Sequence, residues 1–469
     1  MKTKMLDNAR MFPWVAFVRI FLGGYWLYEV TIGHNWKTGS FTSGPHPGWF
    51  GPEAGSYLIE QGNAGIEAGT WNWFGWVLEN IFYPNAVALS AFATAVQILL
   101  ALAFIFGLFN RPMALLGLGM DLFIYFLGNS RIPPFFTIGH LFVLFTNAGL
   151  YYGVDGWLMN KYENVKTGSA KLIKSLITFD FITPKMRKVI ASVCGILAFY
   201  YLLKANVIET GKITMVSTDL AVLFGFTAYG MFVFREGMSK IALTTSLLRI
   251  WLGYRLLHEI FVREVPAVNG LPGWGSGEQL AEVFQFIVEQ HWGVFGSIVE
   301  LAFLPFASFW AIAFAIIQTA VAVMFILGIR TRLASKLIAI MLTVLILIGF
   351  TRYAPFVLGY VVAVLTLNGG SMLSFDQYKN DEPIYGINIS DKIVYALFAI
   401  ALISVIAANI DGILPDGYKT SMGPVMGAMV AMLATMFGIS GWLQNQQTVS
   451  NNKFAKLTYE SEVNMQVAS

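Results

Sequence analysis

RIFLGGYWLYE, running from Arg19 to Glu29, returns 230 residues later as RIWLGYRLLHE, from Arg249 to Glu259. Each copy is an apolar segment with an arginine at its start and a glutamate ten residues on. The landmarks that follow also recur in order: Pro47-Gly48-Trp49 with Pro272-Gly273-Trp274, and Phe74-Gly75 with Phe295-Gly296. Beyond these the offset settles at 221 residues, matching Gln97 with Gln318, Gly107 with Gly328, Arg111 with Arg332, Arg131 with Arg352, and Asp155 with Asp376. Polar matches at one constant spacing within apolar sequence indicate a tandem duplication. The boundary falls near residue 240, giving repeats of 1–240 and 241–469.

Composition sets the class. The chain is 56% hydrophobic and only 12% charged, and its apolar runs approach the roughly 18 residues that a hydrocarbon core requires of a helix. The expectation is an all-α polytopic membrane protein. Six spans lie near 13–32, 86–107, 112–128, 135–152, 189–208 and 218–234, and six more near 246–262, 309–328, 337–350, 355–370, 393–410 and 421–443. No secretory signal pattern precedes the first run. With an inner N-terminus, the outer segments carry only Lys37, Arg131, Lys212, Arg263, Arg352 and Lys419, while twenty Lys and Arg fall on the inner side. That bias places both termini in the cytoplasm and the chain in the cell membrane.

The two long outer segments, about 33–85 and 263–305, are acidic and aromatic. In GEQLAEVFQFIVEQHW, Leu280, Val283, Phe284, Ile287 and Val288 share one helical face, which predicts a helix on the membrane or across the mouth of the bundle. A cap over span ends and a lid over a substrate site are the two readings. An acidic outer surface disfavours a small anion arriving from outside.

Candidate site residues are the polar groups that hydrocarbon makes expensive. Arg131 and Arg352 each precede a proline-led apolar span; they suit an oxyanion or a quinone carbonyl, or they anchor a helix end. Arg19 and Arg249 lie about a turn and a half into their spans, Glu29 and Glu259 toward the outer ends, and Gln97 and Gln318 nearer the middle. The two glutamates suit proton transfer in quinone chemistry, with a structural role as the other reading. Asp121 has no counterpart, since Leu342 takes its place. Of the five histidines, only His140 and His258 fall in or near spans, and neither repeats. Haem, metal and nucleotide motifs are missing, the single Cys194 excludes a dithiol, and nothing suggests nucleic acid.

Three pieces resemble the DoxX/DoxD membrane family: FVRIFLGG, GLFNRPMA and NAGLYYGVD in the first half, with LLRIWLG, GIRTRLAS and NGGSMLSFD in the second. The resemblance covers about 13–155 and 246–376 and implies a four-helix unit in each repeat. It departs from the family at Gln97 and Gln318, where members often carry glutamate. It further implies a quinone-linked oxidoreductase subunit of the thiosulfate:quinone type, working with a small DoxA-like partner. On that reading Glu29 and Glu259 are the catalytic residues, and Arg131, Arg352, Arg19, Arg249, Gln97 and Gln318 bind substrate. An accessory subunit of a membrane complex, or a small-molecule transporter with its site between the repeats, are the alternatives.

Overall fold

The computed structural model describes residues 11–31, 46–67, 69–129, 132–207, 212–233, 240–260, 267–268, 271–272, 276–290, 294–347, 354–367, 369–370, 372–379, 389–410, 413–414 and 423–446. Arg131 and Arg352 lie outside the described residues, as do His34 and His291. Among the described residues the fold is helical apart from a two-residue antiparallel pairing, Ala267–Val268 with Leu271–Pro272, and five helices are long and apolar enough to cross a membrane: Asn72–Phe106, Pro184–Ala205, Val294–Leu327, Asp391–Ala408 and Pro424–Gln446. Three shorter apolar helices accompany them, Pro133–Thr146, Val216–Phe232 and Ala354–Thr366. The chain divides into two compact units, with a boundary in the sequence between Thr244 and Thr245.

The first unit is built around α1 (Phe12–Thr31), the helix that carries RIFLGGYWLYE. It is apolar along most of its length and largely buried: Trp14, Val15, Val18, Phe21, Leu22 and Tyr25 have no exposed surface, while Ile20, Gly24 and Leu27 form its more open face. A helix over the outer segment, α2 (Ser56–Glu67), leads to a continuous run of 35 residues that ends in α3 (Ala86–Phe106). Pro84 lacks the N–H that an α-helix needs, and the run passes it through a π turn at Leu78–Phe82 and a 3-10 turn at Tyr83–Asn85. Gly23 lets α1 and α3 touch backbone to backbone, because a Cβ there would lie 2.7 Å from the Ala101 carbonyl oxygen. Two further helices, α4 (Asn110–Phe126) and α5 (Pro133–Thr146), complete a four-helix core, and every residue of α5 is buried. After an amphipathic helix, α6 (Gly168–Thr178), the pair α7 (Pro184–Val207) and α8 (Lys212–Val233) packs as a hairpin, with Gly230 of α8 against the Phe145 ring.

The second unit runs α9 (Lys240–His258), α10 (Glu278–Glu289), α11 (Ala307–Leu327), α12 (Thr331–Leu347), α13 (Ala354–Thr366), α14 (Asp391–Ala408) and α15 (Gly423–Gln446). Its π turn at Val299–Phe303, its 3-10 turn at Leu304–Phe306, α11, α12 and α13 each begin 221 residues after their first-unit counterparts. Gly253 repeats the close approach of Gly23, with the Ala322 carbonyl oxygen 2.6 Å from a Cβ placed there. The amphipathic helix expected from the sequence is α10, whose Phe284 and Ile287 bury against Val299 and Ala307. It covers the start of its own unit's long helix.

Candidate functional site

The motif residues Gly107, Arg111 and Asp155 are occupied in building the core. α3 ends on Gly107 at φ 72°, a left-handed conformation that glycine adopts without strain. The Asp155 carboxylate then accepts the backbone N–H of Phe109 at 2.6 Å and of Asn110 at 3.0 Å, capping the start of α4. The second unit repeats this with Gly328 at φ 67° and with Asp376 accepting from Arg330 and Thr331 at 2.8 and 2.9 Å. Arg111 donates to the Leu144 carbonyl at 3.0 Å and to that of Thr178, tying α4 to the ends of α5 and α6. Burial pushes the Asp155 carboxyl up from its ordinary range, against the downward pull of the two N–H donors and Arg19.

Arg19 is fully buried, and its guanidinium donates to the carbonyls of Phe104, Ile105, Tyr151 and Tyr152. These carbonyls lie at the end of α3 and in the turn after α5, so Arg19 acts as a remote helix cap. Arg249, equally buried, donates to the Leu373 carbonyl at 2.6 Å. Gln318 donates to the Leu256 carbonyl at 3.0 Å, joining α11 to α9, and Gln97 is buried on α3. Glu29 is buried near the end of α1. Glu259 pairs with Arg255 at 2.6 Å, and Arg255 also lies 3.4 Å from His258 Nδ1. The four positions Glu29, Glu259, Gln97 and Gln318 are thus spread along helix contacts.

What the tertiary structure does bring together is Asp121 of α4, His140 and Thr137 of α5, and Trp26 of α1. His140 Nδ1 lies 2.7 Å from Asp121 Oδ2, and both side chains have no exposed surface. Trp26 Nε1 donates to His140 Nε2 at 3.0 Å. An indole N–H can only donate, so Nε2 must accept and the imidazole proton sits on Nδ1, facing the carboxylate. Thr137 donates to the same Oδ2 at 3.0 Å, while Asp121 Oδ1 has no hydrogen-bond partner among the described residues. The rings of Trp26, Phe104 and Phe136 surround the imidazole. Gly117 makes room for it, since a Cβ there would lie 2.3 Å from Nε2. Chemically this is an oriented, water-excluding acid–base pair that can hold and exchange a proton between Nδ1 and Oδ2.

The second unit fills the same space with hydrocarbon. At the matching positions Leu342 replaces Asp121, Val361 replaces His140, Leu358 replaces Thr137, Ile338 replaces Gly117 and Leu256 replaces Trp26, and all five are buried. Isoleucine stands where glycine made space for the ring, and valine stands where the ring was. A buried ionisable pair is often no more stabilising than apolar residues of similar volume. This fold therefore does not need the pair for packing. The sequence signal for the site was this mismatch between halves, visible at Asp121 but not joined to His140 until the helices were placed. Among the described residues no group of three His, Cys, Asp or Glu side chains is arranged to hold a metal.

Among the described residues these features define a helical protein with helices long and apolar enough to cross a membrane and a fully buried His–Asp pair. Comparison of the chain with family models, with curated proteins and with solved structures returns no match.

Proposed function

We infer that the chain is a DoxX/DoxD-type integral membrane subunit of a quinone-linked oxidoreductase, with its proton chemistry at His140 and Asp121. The observation that carries this reading is the fully buried His140–Asp121 contact at 2.7 Å, built in the first unit and absent from the matching place in the second. A bound quinone would accept two electrons, here from oxidation of a sulfur oxyanion of the thiosulfate class, and would take up two protons to become quinol. The pair suits the proton side of that balance. His140 holds a proton at Nδ1, Asp121 receives or returns it at Oδ2, Trp26 fixes the ring, and the surrounding aromatic side chains exclude water.

The fit to a quinone rests on that aromatic lining and on the unpartnered Asp121 Oδ1. With no exposed surface, the pair serves as a proton carrier one step in from a ring held nearer the end of α1, where Glu29 lies one turn beyond Trp26. Arg131 and Arg352 remain the oxyanion contacts of this reading. Arg19, Arg249, Gln97 and Gln318 support the helices instead, and Glu259 is held by Arg255. The matched element starts support a four-helix unit present twice; two six-helix repeats, twelve spans in the cell membrane, cytoplasmic termini and a DoxA-like partner complete the reading. Because the pair lies inside one unit, it favours redox chemistry over a transport site between halves.

The test is mass spectrometry of organic extracts from the gently purified protein, combined with thiosulfate-dependent quinone reduction by the wild type and by Asp121→Asn. Stoichiometric quinone and a turnover loss of at least about 100-fold in the variant are expected. Extracts without quinone, and a tightly copurifying protein instead, would move the assignment to an accessory subunit.

A further inference from the structure

Between α7 and α8 the first unit carries an open groove of about 510 Å³ lined by Lys188, Ala191, Ser192, Gly225, Ala228, Tyr229 and Phe232. Small residues, Ala191, Gly225 and Ala228, leave room within it. A Cβ added at Gly225 would meet only the Ala198 methyl, at 3.9 Å, and one at Gly195 would meet nothing within 4 Å. The hairpin of the second unit is closed at its glycines: Phe398 lies 2.9 Å from a Cβ at Gly438, and Leu414 lies 2.7 Å from one at Gly427.

The groove opens where α7 begins and α8 ends. The exposed amines of Lys185 and Lys188 stand at that end, as do the apolar side chains of Met186 and Phe232. The segment leading into α7 continues this character. Leu172, Phe181 and Trp157 are exposed, Lys161 lies over the Trp157 ring at 4.8 Å, and Lys166 and Lys171 are exposed among them. Exposed aromatic and aliphatic side chains interleaved with lysine mark the level of lipid headgroups, and basic clusters beside a spanning helix attract anionic ones.

We propose that this groove is a binding site for one anionic phospholipid, with its phosphate at Lys188 and Lys185, Ser192 and Tyr229 beside the glycerol region, and an acyl chain over Ala191, Gly225 and Ala228. The charge decides the occupant. A zwitterionic lipid also brings a phosphate, but its quaternary ammonium offsets that charge, whereas an anionic headgroup presents net negative charge to both lysines. The site is independent of His140 and Asp121 and stands whether or not the protein handles quinone.

Native mass spectrometry of the full chain, released from nanodiscs of equal phosphatidylglycerol and phosphatidylcholine, tests the proposal. One retained phosphatidylglycerol per chain is expected. Lys188→Gln should lower its retention roughly fivefold, the size of one lysine's contribution at a membrane surface. Gly225→Leu fills the groove in space that is already open, so the protein folds and the same lipid is lost with both lysines intact. Equal retention of phosphatidylcholine, or wild-type retention by both variants, would overturn the assignment.

Discussion

Trp26 and His140, on helices α1 and α5, share a hydrogen bond of 3.0 Å from the indole N–H to Nε2, and this bond decides which nitrogen of the imidazole faces Asp121. Trp26→Phe keeps an aromatic ring and removes only the donor. Nitrogen NMR of His140 should then change from a single Nδ1–H tautomer to a mixture. Leaving Nε2 buried without a donor should lower stability by about 1–3 kcal/mol. An unchanged tautomer would show that Asp121 alone orients the ring.

The second unit supplies a design for erasing the site. Replacing Trp26, Gly117, Asp121, Thr137 and His140 together by Leu, Ile, Leu, Leu and Val reproduces the residues at its matching positions. Thermal unfolding of this variant should be unchanged or shifted upward, by as much as about 1–4 kcal/mol, while quinone reduction is lost. A chain that fails to fold would mean that the pair is needed for packing.

Gly117→Ala alone tests the same space from the other direction. Its Cβ would enter to 2.3 Å from His140 Nε2, a distance that the ring must yield. Overpacking of this kind costs about 1–3 kcal/mol. Coupling to His140→Val should remove most of that cost, and a double-mutant cycle measures it. Additive effects would place the imidazole elsewhere.

Arg19→Lys separates helix capping from substrate binding. Lysine keeps the charge but cannot span carbonyls from Phe104 to Tyr152 with a planar fork. The expected outcome is a stability loss of at least about 2 kcal/mol with an unchanged KM for thiosulfate, the substrate class proposed above. A raised KM at wild-type stability would return Arg19 to the substrate site.

Asp155→Ala and Asp376→Ala remove equivalent caps, one in each unit. Each should cost about 1–2 kcal/mol, and hydrogen exchange should rise at the first turns of α4 and α12 respectively. Protection unchanged at both turns would mean that water or a neighbouring group replaces the carboxylate.

Much of the helical layout was legible without coordinates. The recurrence of the Arg19–Glu29 stretch and the constant offset located α3, α4 and α5 and their counterparts to within a few residues. The amphipathic pattern located α10. The site was less legible. The repeated polar residues Arg19, Glu29 and Gln97 stand out in the sequence, yet Arg19 serves the fold, donating to carbonyls at the end of α3 and in the turn after α5. The acid–base pair sits at positions that do not repeat, where a polar residue in one half faces an apolar one in the other.

The sequence by itself determined that this chain is helical, that its apolar runs are of membrane length, and where its charged side chains interrupt them. Those properties depend on local periodicity and on hydropathy, which neighbouring residues carry. Only the tertiary structure decided that Asp121 meets His140 and that Trp26 fixes the imidazole. Contacts between helices depend on how each is rotated about its axis and where the axes cross. Here backbone approach at Gly23 and space at Gly117 set those positions. Residues 19 or 114 apart in the chain then share a hydrogen bond.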